Sequence, residues 1–414
     1  MGSLGSALFA GTVSGETQLI PAPDVDGLVR GTVQVFSRAA LAEKLALGRP
    51  LRVKYGVDPT SPDLHLGHTV PLNALRAFQE AGHTAVLIVG DYTARVGDPS
   101  GRSETRPPLS AEAVSANAQT YLAQVFKVLD EKRTEVRWNS EWLTPLFANT
   151  DPDPARRLLG LMARHTVQQL TERDDFQKRL ASKTPISLLE LLYPLMQGYD
   201  SVAVKADVEI GGTDQLFNLL MGREIQKEFA QPVQVVLTFP LLEGTDGVRK
   251  MSKSYGNAIS LNDAPNDLFG KVLSLSDDMM WKFYTLLTRE DVEALKTGHP
   301  MEAKKKLGEL LTARFHGEEA GRAARMGFER VFSNRETPQD VADHMVSKSP
   351  LRVSDILVES KMAPSKNEAR RLIQQKAVDL AGERIVEDRE VAVHSPLLLK
   401  VGKRQFRRLI PPVL

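Results

Sequence analysis

The chain has no cysteine among its 414 residues. That excludes disulfides, thiolate zinc sites and cysteine nucleophiles, and it fits a reducing compartment. No apolar run approaches the ~20 residues of a membrane-spanning helix, so no membrane partner is expected. No Lys or Arg precedes Arg30, so the basic start of a secretory signal is missing. These absences predict a soluble, cytoplasmic protein. Neither sign of charge dominates: 53 Lys and Arg face 52 Asp and Glu, a net charge of +1. No G-x-G-x-x-G follows the first strand, which argues against a nicotinamide dehydrogenase. No clustered carboxylates suggest a dedicated protein metal site. There is no internal repeat, coiled coil or low-complexity tract.

What is present is organised around Tyr55-Gly-Val-Asp-Pro-Thr-Ser-Pro-Asp-Leu-His-Leu-Gly-His68. This stretch begins at the end of an apolar strand, Leu51 to Val57, crosses a Pro-rich turn and enters a helix running to about Ala81. The end of a parallel strand and the start of the next helix form a crevice suited to nucleotides, and the helix N-terminus favours phosphate. His65 and His68 fall three residues apart in the first turn, so both can face a phosphate. Gly67 between them leaves the backbone open to close approach. Two solvated histidines on a strand-turn-helix would need no ligand, so the weight of this stretch depends on the segments downstream of it. Thr84 to Val89 reads as the next strand, completing a βαβ unit with parallel strands.

The remaining order predicts an α/β chain. Val33 to Leu47 reads as a helix with Arg38, Glu43 and Lys44 outward. A polar loop from Gly90 to Arg106 follows the second strand on the crevice side, where Asp98 beside Arg102 and Arg106 suits a zwitterionic or phosphate ligand. Residues 110 to about 180 read as helices with polar joints. The helix Ile186 to Gln197 is apolar nearly all round and should be buried. Tyr193, Gln197 and Asp200 recur on one face of it, and buried polar groups must be paired, so the stripe reads as a pocket wall. Asp207 to Ile210 is a short strand. It is followed by Gly211-Gly-Thr-Asp-Gln215, with Thr213 a plausible helix cap and two glycines that allow a ribose or adenine close to the backbone. Val233 to Phe239 is a further strand. Arg249-Lys-Met-Ser-Lys-Ser254 is a flexible cationic loop bearing Lys250 and Lys253. Residues 260 to about 345 are helical. The segment 351–414 is basic, thirteen Lys and Arg against eight Asp and Glu, and places Lys366, Arg370 and Arg371 on an exposed helix. Short strands then end in Lys403 and Arg404. A basic module with few aromatics fits RNA backbone contacts.

His65-Leu-Gly-His68 resembles the HIGH signature of the class I aminoacyl-tRNA synthetases, and Lys250-Met-Ser-Lys-Ser254 is similar to their KMSKS signature. Gly56-Val-Asp-Pro-Thr60 and Tyr193-Pro-Leu-Met-Gln-Gly-Tyr-Asp200 resemble the tyrosyl branch in particular. The resemblance runs from about Gly31 to the end. It implies a Rossmann-like parallel-sheet catalytic domain (1–247, with a helical insertion at about 110–185) and a KMSKS loop (248–260). An all-helical anticodon-binding domain (261–345) and a small α+β RNA-binding domain (351–414) would follow.

The same resemblance implies activation of L-tyrosine with ATP and transfer to tRNA(Tyr). His65, His68, Lys250, Lys253 and Arg102 would be catalytic. Gly56, Asp58, Thr93, Asp98, Tyr193, Gln197, Asp200 and Gln215 would bind tyrosine. His65, Gly67, His68, Gly211, Gly212, Asp214 and Lys250, Met251, Ser252, Lys253, Ser254 would bind ATP. Lys366, Arg370, Arg371, Lys403 and Arg404 would contact RNA. Mg²⁺ would accompany ATP, a homodimer is implied, and no DNA partner is expected. One departure stands out: many tyrosyl enzymes carry a second tyrosine where this chain has Lys54, so Asp200 is the favoured phenol partner. A tryptophanyl synthetase and a non-catalytic RNA-binding regulator are the competing readings.

Overall fold

The computed structural model describes residues 25–99, 109–148, 150, 152–153, 157–333, 341–402 and 405–412. They fall into two compact units, 1–321 and 322–414.

The first unit is built on a six-stranded sheet. Its strands are β1 (Gln34–Phe36), β2 (Arg52–Val57), β3 (Thr84–Val89), β4 (Thr134–Trp138), β5 (Val208–Gly212) and β6 (Val235–Phe239). The spatial order is β1-β6-β5-β2-β3-β4. All neighbours run parallel except the β1–β6 pair. The run Thr-Ala-Val-Leu-Ile-Val of β3 is apolar without alternation because helices or loops cover both faces of a parallel sheet. From β2 the chain goes first to β3 and β4 on one side, then returns to β5 on the other. The direction of winding therefore switches between β2 and β5, and ligands in open α/β sheets bind at the strand C-termini beside such a switch.

The helices used below are α1 (Arg38–Leu45), α2 (Leu66–Glu80), α3 (Ala111–Val125), α4 (Ser140–Ala148), α5 (Leu188–Ala203) and α6 (Leu216–Glu228). They are followed by α7 (Pro265–Leu273), α8 (Asp277–Leu287) and α9 (Pro300–His316). Val70, Leu75 and Phe78 of α2 pack into one apolar core that also takes in Leu268, Phe283 and Leu307 of α7, α8 and α9. The later helices are thus held against the nucleotide fold by shared burial, the dominant favourable term in folding.

Four local expectations are corrected. Val33 to Leu47 is not one helix. Gln34–Phe36 pair with Val236–Thr238 as an edge strand, and Ser37 caps α1 by accepting from the Ala40 N–H at 3.3 Å. A distant strand overrides local propensity there. Lys44 is not outward, since its side chain is only 12% exposed and lies 3.6 Å from Asp207. Residues 110–180 include β4, which pairs with β3 at the opposite edge of the sheet. Helix α5 is not buried from its start: Leu188 and Leu189 are exposed, while Glu190, which forms a capping box with Ser187, is buried.

The second unit is α+β. Strands β7 (Asp343–Met345), β8 (Val378–Leu380), β9 (Glu383–Ile385), β10 (Leu397–Val401) and β11 (Gln405–Ile410) form a sheet in the order β9-β8-β10-β11-β7. Helices α10 (Val353–Glu359) and α11 (Lys366–Gln374) pack on it through Ile356, Leu357, Ala369 and Ile373. Asp343–Met345 is therefore a strand, although residues up to 345 read as helical.

Candidate active site

A cavity of about 590 Å³ opens at the C-terminal ends of β2 and β5. Helix α2 supplies its first wall. His65 and His68 stand with ring centroids 3.8 Å apart, and Gly67 lies between them on the same wall. The His65 backbone N–H donates to His68 Nδ1 at 3.2 Å. A neutral His68 ring therefore keeps its proton on Nε2, where it can be donated. Burial, then the neighbouring His68 and Lys253, push the His65 imidazole down to about 2. Burial likewise pushes His68 down to about 4. Both rings are neutral at pH 7, so they offer hydrogen bonds and no charge.

The cationic loop reaches this wall because the chain following it pairs with the start of α2. Leu66 N–H donates to Ile259 O at 2.9 Å, and Leu261 N–H to Leu64 O at 3.1 Å. Ser252 and Asn257 close the loop on itself through Ser252 N–H to Asn257 Oδ1, 2.8 Å. Met251 is 4% exposed and sits in the main apolar core as the loop's anchor. Lys250 lies 4.0 Å from Asp214, and Lys253 pairs with Asp63. Lys250, Met251, Ser252, Lys253 and Ser254 all line the cavity.

The opposite wall is a connected polar network. Asp58 accepts from Thr93 Oγ1 at 2.7 Å and from the Tyr193 hydroxyl at 2.9 Å. Thr93 in turn accepts from Asn139 Nδ2 at 2.8 Å. A Cβ at Gly90 would fall 2.0 Å from Asp58 Oδ1, so only glycine lets β3 end this close to the carboxylate. Gln215 Nε2 donates to Asp98 Oδ2 at 2.8 Å, and Asn218 Nδ2 bridges Gln197 Oε1 (2.9 Å) and Gln215 Oε1 (3.1 Å). Asp200, 4% exposed, accepts from Trp142 Nε1 at 2.7 Å. Burial pushes its carboxyl up to about 7, against the downward pull of Lys54 and of the Trp142 bond.

Lys54 lies behind this wall. Fully buried, its ammonium is 2.7 Å from Glu209 Oε1 and donates to Ser201 Oγ at 2.8 Å. Its partners account for a charge that burial would otherwise make costly.

Among the sequence-predicted residues, Gly56, Asp58, His65, Gly67, His68, Thr93, Asp98, Tyr193, Gln197, Asp200, Gly211, Gly212, Asp214 and Gln215 line this one cavity together with the cationic loop. Arg102, Lys403 and Arg404 lie outside the described residues. Thr213 does not cap α6. It opens a short 3-10 turn, Thr213–Gln215, whose preceding residue is Gly212. A Cβ at Gly211 would meet Leu219 Cδ1 at 2.9 Å, so that glycine makes room for the protein's own packing. In the second unit Lys366, Arg370 and Arg371 are exposed on α11, each beside an acid: Asp355, Asp388 and Glu368. Sequence reasoning missed Asn139, Asn218, Glu209 and the bond from Trp142. Their only signal is an amide, acid or indole inside an apolar segment, which asks for a partner without naming it.

Two families match the chain, one after the other. The family described as tRNA synthetases class I (W and Y) matches residues 46–333. The tyrosine–tRNA ligase SYY-like C-terminal domain matches residues 334–406. The tyrosine–tRNA ligase of Aquifex aeolicus is 49% identical over 385 residues, covering 92% of this chain and 96% of its own. The C-terminally truncated mitochondrial tyrosyl-tRNA synthetase of Aspergillus nidulans shares the fold with a TM-score of 0.61 at 22% identity, over 77% of this chain and 95% of its own. The Archaeoglobus fulgidus tyrosyl-tRNA synthetase complexed with L-tyrosine gives a TM-score of 0.60 at 22% identity, over 73% and 98%.

Proposed function

The chain belongs to the tRNA synthetases of class I that handle tryptophan and tyrosine, among their tyrosine–tRNA ligases, and from that premise we propose how its residues divide the work. The enzyme joins tyrosine to tRNA(Tyr) with ATP as the energy source. The tyrosine carboxylate attacks the α-phosphorus, the bond to the bridging oxygen breaks, and pyrophosphate leaves. A terminal ribose hydroxyl of the tRNA then attacks the tyrosyl carbonyl and AMP leaves. The carboxylate is ionised at pH 7, so the first step needs no general base. Catalysis rests on positioning and on stabilising the negative charge that builds on the leaving phosphates.

The observation that carries this reading is the meeting of two neutral imidazoles, His65 and His68, with two ammonium groups, Lys250 and Lys253, around one cavity. The lysines supply charge to the triphosphate and the imidazoles supply hydrogen bonds, with most effect in the transition state. Mg²⁺ enters with ATP. Arg102 is assigned to the phosphates by the resemblance alone. Asp214 takes the ribose hydroxyls, beside Gly211 and Gly212.

On the tyrosine side, Asp200 accepts the phenol hydroxyl. Trp142 fixes one carboxylate oxygen and leaves the other for the ligand. Asp98, Tyr193 and Gln197 hold the ammonium group. Gln215 lies near the carboxylate, and Gly56, Asp58 and Thr93 form the remaining wall. Phenylalanine would leave buried Asp200 without the donor it is placed to receive, which is the costly outcome for a buried acceptor.

The exposed helix α11 and the basic balance of 351–414 support an RNA contact. Exposed Leu159, Met162 and Val167 in the insertion, with Leu188 and Leu189 just beyond it, support a homodimer through this region. No helix among the described residues is long and apolar enough to cross a membrane, in keeping with a proposed cytoplasmic setting. The test is amino-acid-dependent ATP–pyrophosphate exchange. Exchange is expected with tyrosine, and phenylalanine and tryptophan should be nearly inert. Equal exchange with tryptophan would reject the assignment of the pocket.

A further inference from the structure

We infer that a second cavity, on the far side of α2, binds a phosphate-bearing metabolite of nucleotide size. The cavity measures about 840 Å³, within the roughly 300–1,000 Å³ of small-molecule sites. None of the sequence motifs points to it, and the reaction above does not use it.

Its floor is apolar and its rim is cationic. Leu28, Val70, Ala74, Leu129 and Leu286 line the floor and are buried. Arg30, Arg76, Lys127, Arg289 and Arg314 stand around it, and Glu80 is the one carboxylate among the lining residues. Glu80 is shared, taking Arg76 Nε at 3.0 Å and also Arg289. Five cations against one acid leave a local excess that the chain as a whole, at +1, does not have.

Two of the four guanidinium groups, those not paired with Glu80, are positioned by neutral partners. Arg314 donates to Leu287 O at 3.1 Å and to Asn73 Oδ1 at 2.6 Å. Arg30 donates to Glu290 O at 2.9 Å. Carbonyl and amide partners fix direction without cancelling charge. Burial, and then repulsion from Arg289 and Arg76, hold Arg314 below the usual guanidinium range. Like charges converging on one hollow are stabilised by an anion between them, and planar guanidinium forks match phosphate oxygens. The apolar floor gives a base or similar flat group somewhere to lie.

The site also adjoins the chemistry. Helix α2 carries His65 and His68 at its start, while its later residues Asn73, Ala74 and Ala77 line the second cavity. Phe239, 3% exposed at the end of β6, lines both cavities.

The experiment is calorimetric titration of GDP into the full chain, with the catalytic cavity saturated by a non-hydrolysable tyrosyl-adenylate analogue. GDP is expected to bind at one further site per chain, more weakly as salt rises. Arg289→Gln and Ala77→Phe, which remove a rim charge and fill the hollow, should each weaken it about tenfold or more. Neither should alter tyrosine-dependent pyrophosphate exchange. Arg314 also holds Leu287 and Asn73, so these two variants, at positions without that structural role, carry the test. Absence of GDP binding would overturn the proposal, as would binding indifferent to both variants. Loss of tRNA affinity in Arg289→Gln without any GDP binding would overturn it too, and would make the rim an RNA contact. Because exchange is measured separately, failure here leaves the ligase reading intact.

Discussion

The indole Nε1–H of Trp142 donates to Oδ1 of Asp200 at 2.7 Å, joining the first turn of α4 to the last turn of α5. The bond leaves Asp200 with one oxygen already satisfied, and the carboxylate is turned by a residue that never needs to touch the amino acid. It also helps Lys54 oppose the desolvation that holds the carboxyl near neutral pH.

Trp142→Phe should therefore raise KM for tyrosine by about tenfold, the effect of losing one hydrogen bond to a charged group. It should also narrow the preference for tyrosine over phenylalanine, with kcat changed less. Exchange kinetics with both amino acids measure this.

The acidity of Asp200 gives a pH dependence of definite sign. Its folded value, about 7, lies above the ordinary aspartate value of 3.8. Its contribution to stability is therefore present below about pH 4 and is lost as pH rises through about 7. Asp200→Asn, which removes that titration, should gain more in melting temperature at pH 8 than at pH 5. Activity should move the other way. On the proposed assignment of Asp200, protonation converts the phenol's acceptor into an acid, so KM for tyrosine in the native chain should rise as pH falls below about 7. Melting curves and KM at the two pH values check both.

His65→Ala and His68→Ala should slow adenylate formation by about 10² with little change in tyrosine affinity, as loss of a transition-state donor does. Because both imidazoles stay neutral well below pH 6, the single-turnover rate should show no inflection near pH 6.5 that either variant removes. Stopped-flow measurement across pH 5.5 to 8.5 would detect one.

Lys54→Met should destabilise the fold by about 3–5 kcal/mol, because it leaves Glu209 buried without its cation. Adding Glu209→Leu should recover most of that loss. Urea unfolding of the single and double variants tests the coupling, and a double variant no better than the single would refute it.

The parts of this site that were legible in the sequence are those whose chemistry must be carried by adjacent residues. The imidazoles at positions 65 and 68 and the lysines at 250 and 253 act as contiguous strings on a helix start and a loop. The parallel strands β3 and β6 were readable for a related reason: burial on both faces makes them near-continuous apolar runs. The edge strands β1 and β4 were not, since three residues, or the mixed run Thr-Glu-Val-Arg-Trp, become a strand only through the partner alongside. Lys54 is the plainest case. Alone it is a cation in an apolar strand, and only Glu209, brought alongside by the β2–β5 pairing, explains it. Asn139 and Asn218 were invisible for the same reason, because each acts by bridging segments far apart in the chain.

Both lysines of the cationic loop face carboxylates, Lys253 at Asp63 and Lys250 near Asp214. On the proposed assignment, seating a triphosphate is thus an exchange of anions at partly masked ammonium groups. Each ammonium group is thereby less open to stray polyanions, and on that assignment the pair becomes available chiefly to a ligand that can offer phosphate oxygens at both places at once.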